Sequence, residues 1–227
     1  MYNYSRGPEL AAYPTDSAVA ERPAVLGTVL GLLGFASLFT AGGALIAPLL
    51  GPSAVLISIV GSLGTLVGLF VARDKAPLNL GLLYAFATFE GLALGLILEA
   101  YVTSGLGRVV LNAALTTAAV ALAAGAYGYT TKRDVSGIGG ILTVGLIGVL
   151  VASVVGIFVE LPLLHIGISA VAAVLFTGFL VYDLNRVAQS RGAREGEAIL
   201  LAVSVYLDIF NLFLALLQLF GFAGRDE

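Results

Sequence analysis

The chain has 227 residues, of which 59% are hydrophobic and only 11% charged, against roughly 25% charged in a soluble domain. Mean hydropathy is +1.03, and glycine, at 29 residues, is near twice its usual ~7%. So few charges can neither coat a water-exposed surface nor neutralise a nucleic-acid backbone. This excludes a soluble globular enzyme, a disordered chain and a nucleic-acid binder, and leaves a polytopic membrane protein.

Residues 1–23 are polar and carry Pro8, Pro14 and Pro23. They lack the ordered basic, apolar and small-residue blocks of a signal peptide, and read as a flexible cytoplasmic tail. Apolar runs follow, each near the ~20 residues that span a ~30 Å hydrocarbon core. The first is Ala24 to Ile46, closed by Pro48 and Gly51. The second is Ser53 to Ala72, stopped by Arg73-Asp74-Lys75. The third is Leu78 to Tyr101 and contains Glu90 and Glu99. The fourth is Val109 to Thr130, stopped by Lys132-Arg133-Asp134. The fifth is Ile138 to Val159, ended by Glu160-Leu161-Pro162. The sixth is Leu163 to Asp183, ended by Asn185-Arg186, and the seventh is Glu197 to Phe220, containing Asp208. The runs are continuous rather than alternating, so they predict helices and not a β-barrel. The expectation is an all-α integral membrane protein with one seven-helix domain over residues 24–221 and a short external tail over 222–227.

Orientation follows from the basic residues. Arg6, Arg22, Arg73, Lys75, Lys132, Arg133, Arg186, Arg191 and Arg194 fall on one side, and only Arg108 and Arg225 on the other. The positive-inside rule therefore puts the N-terminus in the cytoplasm and the C-terminus outside. Gly91-x-x-x-Gly95 and the pair Gly125 and Gly128 suit close helix packing in lipid.

Acidic residues at membrane depth are the functional candidates, because lipid cannot satisfy them. Asp208 stands out. Ser204, four residues back, and Asn211, three on, share its helical face, with Gln218 within about 80° of it. Asp183 ends the sixth run beside Arg186. Alone it reads more readily as a solvated boundary residue, but its weight rises if the sixth and seventh helices touch. Two adjacent carboxylates disfavour double ionisation and can hold one proton or, when both are ionised, a weakly bound divalent cation. Glu90, mid-helix, is either a pore or proton site or a neutral hydrogen-bonded acid; Asn79 and Tyr101 fall near its face. Glu99 reads as interfacial and His165 as a solvated outer-loop residue. Arg73 is either a topology anchor or a partner reaching the acidic pair, where its guanidinium would lock the second helix against the sixth and seventh. The chain has no cysteine and one histidine, and no nucleophile triad, HExxH, phosphate loop or dinucleotide fingerprint occurs. Asp183 and Asp208 lack the glycine motif of an intramembrane aspartyl protease. No enzyme and no cofactor are expected.

Three segments together resemble the Bax inhibitor-one family, also called the transmembrane Bax inhibitor motif family. They are Glu90-Gly91-Leu92-Ala93-Leu94-Gly95, Phe176-Thr177-Gly178-Phe179-Leu180-Val181-Tyr182-Asp183-Leu184-Asn185, and Tyr206-Leu207-Asp208-Ile209-Phe210-Asn211-Leu212-Phe213. The resemblance implies a bundle whose last helix is central and wrapped by the other six. It implies a calcium leak modulated by pH through an aspartate pair, matched here by Asp183 and Asp208, with Arg73 as the bridging arginine. It further implies a prokaryotic plasma-membrane protein whose partners are calcium ions, protons and the bilayer. The expected function is a pH-sensitive calcium leak channel. A proton-coupled carrier using Glu90 and Asp208, and a non-transporting regulator of other membrane proteins, are the competing expectations.

Overall fold

The computed structural model describes residues 17–133, 135–159, 161–190 and 194–224. Seven helices follow in chain order: α1 (Ser17–Leu50), α2 (Ser53–Ala72), α3 (Leu78–Thr103), α4 (Gly107–Thr130), α5 (Ile138–Phe158), α6 (Pro162–Gln189) and α7 (Glu195–Ala223). All seven are long and apolar enough to cross a membrane. The expected tail lies outside the described residues up to position 16, and its remainder, from Ser17, is the first part of α1. Of the expected external tail, residues 225–227 lie outside the described residues, as do Arg6 and Arg191.

Several boundaries differ from expectation, and three of them have a clear local reason. α1 runs past Pro48 and stops at Gly51, where φ is +56° and the Gly51 N–H closes back onto the Ala47 carbonyl at 3.1 Å. Glycine takes this left-handed turn without a Cβ clash. α6 starts at Pro162, a residue suited to a first turn because it has no N–H to leave unpaired. His165 is therefore helical, with Nδ1 3.0 Å from the Leu161 carbonyl, rather than in a loop. At its other end α6 continues six residues beyond Asp183 to Gln189. The polar residues there are satisfied in the interior: Asn185 is 3% exposed and its Nδ2 donates to the Gly128 carbonyl of α4 at 3.1 Å.

The last helix is central. α7 packs against α1, α3, α4 and α6, and 56% of its apolar window is buried, against at most 33% in any other helix. Among the described residues its extended contacts are with four helices rather than six. Among the described residues α5 lies along α6 with no other extended helix contact, and α2 lies along α3 with a minor contact to α1. Two apolar clusters flank α7. One joins Leu69, Leu83, Phe86, Ile199, Tyr206 and Phe210; the other joins Val109, Ala113, Leu180, Val205, Leu212 and Leu216.

The α1–α3 contact is a backbone contact. A Cβ on Gly91 would run into the Thr40 carbonyl and lie 2.9 Å from Thr40 Cα, and one on Gly95 would lie 2.8 Å from Ala44 Cα. The Gly91-x-x-x-Gly95 pattern thus lets two helices approach closely, in an environment where dispersion rather than water expulsion holds helices together.

Candidate functional site

Asp183 and Asp208 meet at the α6–α7 contact. Both are buried, at 5% and 6% exposure, and their carboxyl groups lie within hydrogen-bonding reach of each other. One side of the pair is compensated: Arg186, one helical turn on from Asp183, donates from Nη1 to Asp183 Oδ1 at 3.2 Å. The other side is not, because Asp208 Oδ2 is buried with no hydrogen-bond partner. Two ionised carboxylates offer each other no donor, whereas a proton on one of them would let it donate to the other. A buried acceptor without a donor costs about 1–3 kcal/mol.

Arg186 is the residue whose role the sequence left unassigned, although its i, i+3 spacing from Asp183 was visible. Its head is half-exposed and sits 5.7 Å from the centroid of the Tyr182 ring, a cation–π distance. Arg73, expected as the bridging arginine, caps α2 and pairs with the adjacent Asp74, Nε to Oδ2 at 3.4 Å, with both side chains exposed. Asn79, 1% exposed, donates from Nδ2 to the Arg73 carbonyl at 2.9 Å and so fixes the turn out of α2. Where α2 ends, it touches the start of α7: a Cβ on Gly196 would lie 2.6 Å from the Arg73 carbonyl oxygen.

Arg73 and Arg186 line one cavity of about 550 Å³. It fills the gap between α2 and the α6–α7 pair, and Ser204, Leu207 and Glu197 of α7 share its wall. Ser204 thus faces a cavity, whereas Asp208, expected on the same face, is not among the residues that line it. Asn211 instead donates to the Leu207 carbonyl within its own helix at 2.8 Å, and the exposed Gln218 accepts from Ser169 Oγ at 2.8 Å.

Glu90 is not brought to Asp208. It is half-buried on α3, its carboxyl is a hydrogen-bond neighbour of Ser62 on α2, and it is a charged neighbour of Tyr206. Tyr206 in turn shares a 2.8 Å hydrogen bond with Thr40 of α1, a link the sequence did not suggest. Tyr101 turns to α7, its hydroxyl donating to the Leu217 carbonyl at 3.3 Å. Among the described residues no three or more His, Cys, Asp or Glu side chains group as a metal site. Two carboxylates are also short of the 6–8 oxygens of a tight calcium site.

Seven apolar helices around a central helix, with a buried carboxyl pair at the arginine-rich end, define a multi-pass membrane protein with an ionisable interior site. The chain belongs to the Bax inhibitor-one family: the family described as inhibitor of apoptosis-promoting Bax1 matches residues 22–225. Among its relatives is the modulator of FtsH protease YccA of Escherichia coli K12, 34% identical over 76% of this chain and 77% of the relative. In another E. coli strain the corresponding protein is described as an inner membrane protein. The Golgi anti-apoptotic protein of vaccinia virus strain Lister is 36% identical over 77% of this chain and 71% of the viral protein.

Proposed function

We propose that this protein is a pH-sensitive calcium leak channel of a prokaryotic plasma membrane, with Asp183 and Asp208 as the gate. The observation that supports this best is the buried carboxyl pair, of which one member is held by Arg186 and the other has an oxygen without a donor. With one proton shared, the pair is closed on itself through the new hydrogen bond. With that proton lost, the two charges repel and compete for Arg186, and the pair becomes able to accept a divalent cation weakly. Calcium is cargo here and no resident cofactor or catalysis is invoked. The N-terminus is cytoplasmic on the positive-inside bias, so the pair sits at the cytoplasmic end. Arg73 lines the same cavity as Arg186 and pairs with Asp74 rather than with the carboxylates; it serves as a second cation that a moving α2 could bring to them.

The test is calcium entry into liposomes holding wild type, Asp183→Asn or Asp208→Asn, followed from mildly acid to mildly alkaline buffer. Wild type is expected to pass calcium with a pH-dependent rate, and both variants to lose that dependence. No wild-type flux sinks the channel; flux whose pH response survives both substitutions sinks the gate.

A second reading is supported by the relative that modulates the FtsH protease: a regulator that binds another membrane protein through its lipid-facing helices. Co-purification of a protease with the intact chain, combined with absent flux, would favour it.

A further inference from the structure

We propose that the cavity between α2, α6 and α7 is a binding site for an anionic phospholipid, its phosphate held by Arg73 and Arg186. The cavity has the polarity gradient of a lipid. α2 contributes Leu66, Phe70 and Arg73, which at i, i+4 and i+7 form one face of the helix. α7 contributes Leu207 at the deep end, ten residues and about 15 Å from its mouth at Glu197. Apolar side chains thus line the membrane-depth part, and two guanidinium groups stand at the end where headgroups lie.

The cavity also lies in a gap between helices. Among the described residues α2 makes no extended contact along α6 or α7 and meets α7 only where Arg73 touches Gly196, which leaves a gap along the apolar length of α2 that a lipid chain could enter. Its volume of about 550 Å³ falls within the ~300–1,000 Å³ typical of small-molecule sites. Each guanidinium has five N–H donors. Arg73 places one contact on Asp74 and Arg186 one on Asp183, and both heads remain half-exposed at the cavity. The acidic group at the mouth, Glu197, is held to its own helix start, its Oε2 accepting the Arg194 backbone N–H at 3.2 Å, and its single charge stands against the two guanidinium groups. Paired arginines over an apolar slot match a phosphate with its acyl chain, since guanidinium–phosphate contacts are bidentate and charge-assisted. This inference does not depend on calcium passing through the protein.

Native mass spectrometry of the detergent-solubilised chain tests it, with phosphatidylglycerol and phosphatidylcholine of identical acyl chains as probes. Wild type is expected to retain phosphatidylglycerol in preference. Arg73→Gln/Arg186→Gln should cut that preference about tenfold or more, the scale for losing two charge-assisted contacts. Arg133→Gln, an exposed cation at the same end that does not line the cavity, should leave it in place. Leu66→Trp keeps both arginines but fills the slot, and should expel the lipid even if the double variant folds poorly. No wild-type preference overturns the proposal, as does a preference that survives Leu66→Trp. Displacement of the lipid by millimolar inorganic phosphate would make this a phosphate site and overturn the lipid assignment.

Discussion

Asp183→Asn is expected to stabilise the protein. In the native pair Asp183 Oδ1 accepts from Arg186, while Asp208 Oδ2 is buried without a donor. An asparagine amide can serve both neighbours: its oxygen keeps the Arg186 hydrogen bond and its NH₂ donates to Asp208. The loss is the ionic part of a pair whose arginine is 54% exposed, worth about 0–1 kcal/mol. The gain is relief of an unsatisfied buried acceptor, about 1–3 kcal/mol. The balance is a gain of about 1–2 kcal/mol, or a rise of a few degrees in Tm for a chain of this length, at about 2–4 °C per kcal/mol. Melting followed by far-UV circular dichroism in detergent measures it. The gain should grow in alkaline buffer, because in acid a shared proton already supplies the same donor to wild type. Asp183→Ala offers no donor and strands Arg186, so it should melt below wild type. If Asp183→Asn melts as low as Asp183→Ala in alkaline buffer, the geometry argued for the pair is wrong.

Other outcomes follow from single contacts. Gly91→Ala should lower stability by about 1–3 kcal/mol, because its Cβ meets the Thr40 backbone, whereas Gly81→Ala meets nothing within 4 Å and should not; melting curves of the two separate the cases. Tyr206→Phe removes the bond to Thr40 Oγ1, which keeps its second contact with the Ala36 carbonyl at 3.0 Å; the expected cost is about 0.5–1.5 kcal/mol with the fold retained, read by the same melts. Glu90→Gln should leave the pH response of liposome flux intact, since Glu90 is paired with Ser62 rather than with the carboxyl pair; a lost response would revive the carrier reading. Gly51→Ala should destabilise by about 1–2 kcal/mol, the left-handed penalty for a residue with a Cβ at φ +56°.

The helices were legible because each is a run of apolar residues with no competing pattern, and α2 matches its expected span residue for residue. The ends were less so. Asn185 and Arg186 look like a helix exit, but the Gly128 carbonyl and Asp183 give them partners inside the fold. Gly128 permits this, since a Cβ there would lie 2.9 Å from Val181 Cα. Asp208 was visible as a charge in an apolar helix. Its meeting with Asp183 was not, because it depends on how α6 lies on α7. For the same reason periodicity put Asn79 and Tyr101 near Glu90, whereas the structure turns one to the Arg73 carbonyl and the other to Leu217.

The position of α5 has a consequence for how the sequence can change. Its apolar window is only 6% buried, and α6 is its neighbour, so most of its side chains are dissolved in lipid tails. A lipid tail does not distinguish leucine from valine or isoleucine by shape, so these positions demand oiliness and little else. The exceptions are glycines that make room for α6, such as Gly145, where a Cβ would meet Leu175. α7 imposes the opposite regime, with size and shape constrained at most of its turns. Saturation mutagenesis scored by yield of folded protein should therefore find α5 the most permissive helix to apolar exchange and α7 the least.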